Sequence, residues 1–352
     1  DTGFIVHNDR TYPNLIKLFE ELGVETAPSD MSFAVSDRRN GFEYSSRGLN
    51  GFFAQRKNSV SPAHYRLLKE ILRFNREAPL SVTMQGTLGE FVEAGRYDDT
   101  FVEKYLYPMA SAVWSMSPEA MNAFPAATLI RFFQNHGMLG INTHPKWKVL
   151  KGGSNSYIKP LTEPYRDRIE TGADIKSIWR TETGVNVKGR HFDDVVFACH
   201  GNQILPLLAD ATDRERDILQ HFQTTKNDVC LHTDSSLLPK SPQARASWNY
   251  NLDGHAGATV TYHMNRLQNL PTKEDYCVTL NANGNIRPET ILRRMTYSHP
   301  LYTRAAIHAQ DRWKEISGVN RTHFCGAYWF YGFHEDGLNS ALRVARALGV
   351  EC

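Results

Sequence analysis

The sequence predicts an α/β (α+β) protein of two intermixed lobes, and three observations carry that prediction. Its 352 residues exceed the roughly 250–300 at which a single hydrophobic core stops growing. Short strand-like bursts stand directly before helical patterns, as where HFCGAYW precedes HEDGLNSALRVARAL. A helical tract over about 61–139, followed later by successive strand patterns with short polar turns, reads as helices laid on one face of an antiparallel sheet.

The chain opens DTGFIV, without a methionine, in what reads as buried strand. From Thr11 the pattern is helical, with Leu15, Leu18, Phe19 and Leu22 on one face, Pro13 in the first turn and Gly23 past the end. MSFAVSD and FEYSS, joined through Arg38 to Gly41, predict a hairpin. Ser61 and Pro62 are an N-cap and first helical residue for a helix through Leu67, Leu68, Ile71, Leu72 and Phe74. Further helices are expected from about Thr87, from Ser117, and over FPAATLIRFFQNHGML to Gly137, with Trp114, Phe124, Phe132 and Phe133 in the core.

WKVLKGGSNSYIKPL reads as strand, Gly-Gly turn and a helix capped by Ser154. DIKSIWRT, VNVKG and DDVVFACH are strands, Val195 to Ala198 being the best buried-strand candidate. Two helical stretches, NQILPLLADAT and TDRERDILQHF, lead to DVCLHTD, ASWNYNLD, GATVTYHMN and DYCVTLNA, expected as a meander. There Trp248, Tyr250, Tyr262 and His263 either line a ligand face or pack beneath helices. RPETILRRMTYSHPLYTRAAIHAQDRWKEI is expected as a polar linker and an amphipathic helix. The last helix starts near His334, with Leu338, Ala341, Leu342, Ala345 and Leu348 at helical spacing and Glu335 and Asp336 at the positive end of its dipole. Gly332 and Gly337 beside that start give an electron-rich ligand access to backbone N–H groups; an ordinary helix closing a core is the alternative.

Composition narrows the function classes. Forty basic and 38 acidic residues leave a net charge of +2, so no global field recruits nucleic acid or an anionic membrane. No run reaches the roughly 18 apolar residues that span a bilayer, no signal-peptide pattern appears, and a cytoplasmic location is expected. Cys199, Cys230, Cys277, Cys325 and Cys352 form no C-x-x-C pair and read as reduced. The 14 histidines show no zinc spacing, so no metal site is expected. Neither a nucleophile elbow nor a phosphate-binding P-loop is present, which leaves hydrolase and NTPase readings without their parts. A G-x-G-x-x-G after a strand is also absent.

GFHEDGLNSALRVA resembles the C-terminal flavin-binding motif of the FAD-dependent amine oxidase and phytoene desaturase superfamily, where a Met-Glu-Gly-Ala run opens a helix under the flavin. Together with DTGFIVHNDRTYPNL and GGSNSYIKPL, the segment CGAYWFYGFHEDGLNSALRVA resembles more closely a bacterial family of NAD/FAD-binding, flavin-containing amine-oxidase-like proteins found beside cyclopropane fatty-acid synthases. The resemblance implies an FAD-linked reductase, amine-oxidase-like two-lobe fold. It places the Gly-rich fingerprint upstream of DTGF, so the N-terminal βαβ Rossmann unit is expected to be truncated, the chain a fragment, and its hold on FAD weak. By resemblance the FAD-binding lobe comprises 1–10, 148–220 and 320–352, and the substrate lobe 11–147 and 221–319.

The cofactor-binding residues the resemblance implies are Gly3, Phe4, Gly152, Gly153, Ile175, Ala198, Cys199, Gly326, His334, Glu335, Asp336, Gly337 and Leu338. No catalytic residue is assigned; the candidates are His334, Phe333 and Tyr331, with His334 a proton donor or acceptor or else a capping histidine. Two positions depart from the family pattern: Ala341 replaces a usual Gly, and Asp228, with Lys226 nearby, stands where many amine oxidases carry a lysine. The implied function is FAD-dependent removal of a hydride from a C–N or C–C bond of an amine or lipid-like small molecule, without nucleic-acid partners. The alternative is a non-catalytic flavin- or lipid-binding accessory module of a cyclopropane fatty-acid synthase.

Overall fold

The structure is a computed structural model that describes residues 1–140, 143–252 and 259–351; Cys352 and the first residues of the GATVTYHMN stretch lie outside it. The chain begins with β1 (His7–Asn8), α1 (Pro13–Glu21), β2 (Thr26–Pro28), β3 (Phe33–Asp37) and β4 (Phe42–Ser45). The helical tract holds α2 (Gly48–Phe52), α3 (Pro62–Glu77), α4 (Leu88–Gly95), α5 (Asp99–Phe101), α6 (Tyr107–Trp114), α7 (Pro118–Asn122) and α8 (Ala126–Asn135). Then come β5 (Trp147–Leu150), α9 (Asn155–Thr162), β6 (Ile178–Arg180), β7 (Val185–Val187), β8 (Arg190–Phe192), β9 (Val195–Phe197), α10 (Ile204–Leu207) and α11 (Asp213–Leu219). The remainder is β10 (Thr224–His232), β11 (Trp248–Asn251), β12 (Thr259–His263), α12 (Met264–Leu267), β13 (Cys277–Leu280), β14 (Ile291–Pro300), α13 (Arg304–Asp311), β15 (Thr322–Phe324) and α14 (His334–Ala347).

Several helices start where side-chain chemistry satisfies their first N–H groups. Ser61 accepts from the His64 N–H at the head of α3, Ser117 from Ala120 N–H at α7, and Thr87 and Glu90 exchange bonds in a capping box at α4. The chain divides into two compact units, the first of residues Asp1–Thr11, Glu25–Ser154 and Lys226–His299, the second of Tyr12–Val24, Asn155–Thr225 and Pro300–Cys352.

The first unit is organised on a seven-stranded sheet of order β14-β10-β13-β12-β11-β3-β4. Its register builds two contrasting buried rows. On one face Val229, Leu280, Val260, Tyr250, Val35 and Tyr44 stand opposite one another strand by strand. Helices cover this side, α6 packing on β11 and Tyr44 Oη donating to the Lys104 carbonyl at 2.6 Å. On the other face the adjoining row is Cys230, Thr279, Thr261, Asn249, Ala34 and Ser45, small or polar and all fully buried. The irregular stretch after β10 meets that face, and its backbone groups need partners there. Asn249 accepts from Ala246 N–H and donates to Ala246 C=O, Ser45 Oγ donates to Gln243 C=O, and Glu43 accepts from the N–H groups of Lys240 and Ser241. Trp114, Phe124, Phe132 and Phe133 are buried together in the helical tract, as expected.

Four expectations are corrected. The N-terminal βαβ unit is present: β1, α1 and β2 follow in order, and β1 and β2 both pair antiparallel with β5, hence run parallel to each other on its two sides. The connection from β1 to α1, Asp9 to Tyr12, contains no glycine, so a glycine pattern could not reveal it. Second, β11, β12 and β13 are antiparallel neighbours, but β10 pairs with β13 and β11 runs parallel to β3, so the sheet is mixed and not a meander. Third, the supposed linker before α13 contains the ten-residue strand β14 at the sheet edge, its Arg293 and Arg294 suiting an unpaired border. Fourth, β9 is only partly buried, Val196 being 43% exposed, because it pairs with β15 in a sheet of two strands.

In the second unit β9 and β15 run parallel, β6, β7 and β8 form an antiparallel sheet, and Phe197, Ile204, Phe324, Trp329 and Val344 share one core. Arg180 on β6 is buried between Asp210 and Glu215. Cys199, Cys230, Cys277 and Cys325 are free thiols. No helix among the described residues is long and apolar enough to cross a membrane.

Candidate functional site

The site of most chemical interest is the opening turn of α14, in the second unit. Asp336, three residues inside the helix, reaches back to accept from the Phe333 N–H at 2.9 Å, which sets the first turn. Ahead of it the backbone is forced through Gly332, at φ +95° with Tyr302 Oη only 2.5 Å from where a Cβ would stand. A β-carbon there would have to displace the Tyr302 hydroxyl. Below the turn Ser340 Oγ accepts from Gly326 N–H and donates to Gly337 C=O, both at 2.7 Å, tying the end of β15 to the helix. Gly337 is open: the nearest atom to a built Cβ is Ala327 Cβ at 3.9 Å. The first intrahelical bond runs from Gly337 N–H to Phe333 C=O, so the N–H groups before it point out of the helix end.

Titratable groups crowd this turn. His334 Nε2 lies 2.9 Å from Tyr157 Oη, whose ring meets the imidazole edge-on at 6.0 Å. Burial lowers the His334 pKa, so the ring is neutral at pH 7. The Asp336 carboxyl is pushed up to about 7 by burial, against the backbone N–H groups of Phe333, Tyr331 and Gly332 that favour its anion; the Glu335 carboxylate pushes it further up. Tyr12 and Tyr302 are both buried, and their phenols are held protonated by burial and by the Asp336 charge. Glu335 is 5% exposed and is committed elsewhere, its two oxygens accepting from Asn14 N–H at 3.0 Å and Leu15 N–H at 2.8 Å. It caps α1, whose own N-cap residue Tyr12 supplies no side-chain bond.

The other residues singled out from sequence fall into local groups. In the second unit Ile175 precedes β6 and packs on the core, Ala198 and Cys199 follow β9, Leu338 is half-buried on α14, and Phe333 and Tyr331 are half-buried at its start. In the first unit Asp1 ties the N-terminal segment to the Gly-Gly turn: its carboxylate accepts from Ser154 N–H and lies 3.3 Å from a built Cβ on Gly153. Gly152 and Gly153 sit at φ +79° and +82°, which the turn requires of glycine. Ser154 Oγ donates to the Phe4 carbonyl at 3.2 Å, and a Cβ on Gly3 would meet nothing within 4 Å.

Sequence reasoning missed a set of buried donors on α14 and on the turn at 327–329 that precedes it. Arg343 lies with its guanidinium 3.8 Å over the Trp313 ring and 5.0 Å over Phe330. Its Nε and Nη2, with Tyr328 Oη and Trp329 Nε1, are buried without a hydrogen-bond partner among the described residues. Burial lowers the Arg343 pKa to about 10, so it stays cationic at pH 7. An acceptor-rich ligand would complement this set. Its only signal in the sequence is an arginine on an otherwise apolar helix side. Ala341, the departure from the family's glycine, is exposed.

Comparison with known proteins adds the family. A family model described as flavin containing amine oxidoreductase matches residues 1–349. With the β1–α1–β2 start, that match overturns the expected loss of the N-terminal dinucleotide-binding unit and leaves the reading of the chain as a fragment without support. Among solved structures, cyclohexylamine oxidase from Brevibacterium oxydans IH-35A superposes with a TM-score of 0.63 at 12% identity, covering 99% of this chain and 88% of that one. Wild-type putrescine oxidase bound to putrescine gives 0.60 at 11%, covering 96% and 85%. A CLA-producing fatty acid isomerase from P. acnes gives 0.60 at 13%, covering 99% and 87%. Identities this low show a shared fold. A comparison with the curated proteins finds no match.

Proposed function

The chain belongs to the flavin containing amine oxidoreductase family, and on that premise we propose that it is an FAD-dependent oxidoreductase taking a hydride from a C–N or C–C bond of an amine or lipid-like substrate. The flavin, when bound, supplies the hydride acceptor. The residues present fit such a group: outward N–H groups at the head of α14, the open side of Gly337, and buried donors on Arg343, Tyr328 and Trp329 that lack acceptors. The outward N–H groups of His334 and Glu335 would hold an acceptor edge of that group at the helix end, and Gly337 would leave it room. Glu335 contributes only backbone, its carboxylate being committed to α1.

The opening turn of α14 carries the reading. Its Asp336 carboxyl, titrating near 7, gains or releases a proton in the working pH range, while His334 stays neutral and oriented by Tyr157. The amine class has the weaker support: Asp228, which by resemblance stands where many amine oxidases carry a lysine, and Lys226 nearby are both exposed on β10, and Asp228 faces Arg294 at 3.5 Å.

The test is reconstitution with FAD followed by anaerobic titration with amines and with acyl lipids. A yellow protein whose flavin band bleaches with one class supports the reading and names the class. A protein that stays colourless after reconstitution overturns it. Bound flavin that no substrate bleaches would favour the accessory-module alternative.

A further inference from the structure

A second surface, in the first unit, has chemistry of its own that does not depend on the flavin reading. Residues 47–80 carry seven Lys or Arg against two acidic residues, a local +5 in a chain of net +2. Both acids, Glu70 and Glu77, are engaged by Arg73 at 3.2 Å. Arg47, Arg56, Lys57, Arg66 and Lys69 are exposed and form no ion pair among the described residues.

The most exposed large apolar side chains among the described residues stand among these cations: Leu80 at 83%, Val60 at 82% and Leu49 at 71%, with Tyr65 at 51% and Leu72 at 45%. They form one surface by local geometry. On α3, Tyr65, Lys69, Leu72 and Arg76 recur at i, i+4, i+7 and i+11 and share one helix side, while His64, Leu67 and Phe74 bury the other. The Tyr65 ring lies 5.5 Å from Phe53, one turn past Leu49, and its hydroxyl donates to the Ser59 carbonyl beside Val60. Leu80 sits on the turn that continues α3. Val60 and Leu80 thus bracket a 16-residue helix, about 24 Å long.

We infer that this face docks on an anionic phospholipid bilayer, the apolar tips entering the interface and the five unpaired cations meeting headgroup phosphates. Charge complementarity selects the occupant: an amphipathic helix with Lys and Arg interleaved among exposed aliphatic and tyrosyl side chains is the pattern of an interfacial helix lying on an acidic leaflet. A planar surface also reaches both ends of α3 at once.

The test is co-sedimentation of the full chain with phosphatidylcholine vesicles and with vesicles containing phosphatidylglycerol, using wild type, R66E/K69E and V60S/L80S. All four positions are exposed or half-exposed at a turn or helix surface, and circular dichroism checks that each variant folds. Wild type should pellet with the phosphatidylglycerol vesicles and not with phosphatidylcholine alone. Each basic residue near an acidic surface is worth about fivefold in partition, so R66E/K69E should lose at least roughly 25-fold. V60S/L80S should leave only binding that moderate salt removes. No pelleting, equal binding to both vesicles, or folded variants that bind like wild type would overturn the inference. So would concentration-dependent self-association abolished by V60S/L80S without vesicle binding, which would assign the face to a second copy.

Discussion

Replacing Glu335 by alanine should unfasten α1. Among the described residues the carboxylate is the one side-chain cap recorded for that helix, and it serves two adjacent N–H groups, one of them, on Leu15, fully buried. Loss of an N-cap costs about 1 kcal/mol, and stranding a buried N–H adds roughly 1–3 kcal/mol. A destabilisation of about 2–4 kcal/mol is expected. Since 1 kcal/mol moves the melting midpoint by about 2–4 °C in chains of 150–250 residues, and less in longer ones, Tm should fall by on the order of 5 °C. Glu335→Gln should fall between, because its amide oxygen serves one N–H while its NH2 confronts the other. Differential scanning fluorimetry reads the midpoint, and hydrogen exchange reads the Asn14 and Leu15 amides directly. If Glu335→Ala melts with wild type and both amides keep their protection, Glu335 is not the cap of α1.

Three further outcomes follow from the same unit. The folded Asp336 carboxyl, at about 7, is raised above its unfolded value of 3.8, so the folded state holds the extra proton; stability should fall as pH rises from about 4 to 7 and level off above. Urea midpoints against pH should therefore flatten in Asp336→Asn relative to wild type. Gly332→Ala meets both a left-handed φ and Tyr302 Oη at 2.5 Å, and should cost about 1–3 kcal/mol, part of it recovered in the double variant with Tyr302→Phe. Arg180→Met leaves Glu215, 2% exposed, buried without its cation, which should destabilise by roughly 3–5 kcal/mol in chemical denaturation.

What the sequence made legible is what short-range chemistry decides. Ser61 with Pro62, Ser117 with Pro118 and the Thr87 box mark helix starts because cap and capped groups lie within three residues. The α14 start was readable for the same reason, Asp336 closing on Phe333. Strand partners were not: β10 lies beside β13 because the stretch between β10 and β11 crosses the sheet face, and periodicity carries no information about which edge a strand joins. At the candidate site, the Glu335 side chain reads locally as a helix-dipole acid, while its hydrogen bonds reach a helix some 320 residues earlier. Tyr157, Tyr302 and Arg343 escaped notice because each gains its significance only from neighbours distant in the chain.

The polar row across the seven-stranded sheet bears on how this protein could change over time. Sliding β12 by one residue would place Val260 or Tyr262 where Thr261 now meets Thr279 and Asn249. The same slip in β11 would strand the carbonyl and N–H groups of Ala246, which Asn249 answers in its present place. The stretch after β10, irregular as it is, acts as a template gauge for the strands beneath it. Insertions that surface turns elsewhere would absorb should be refused there, and drift in its length should be tied to compensating changes at Asn249, Ser45 and Glu43.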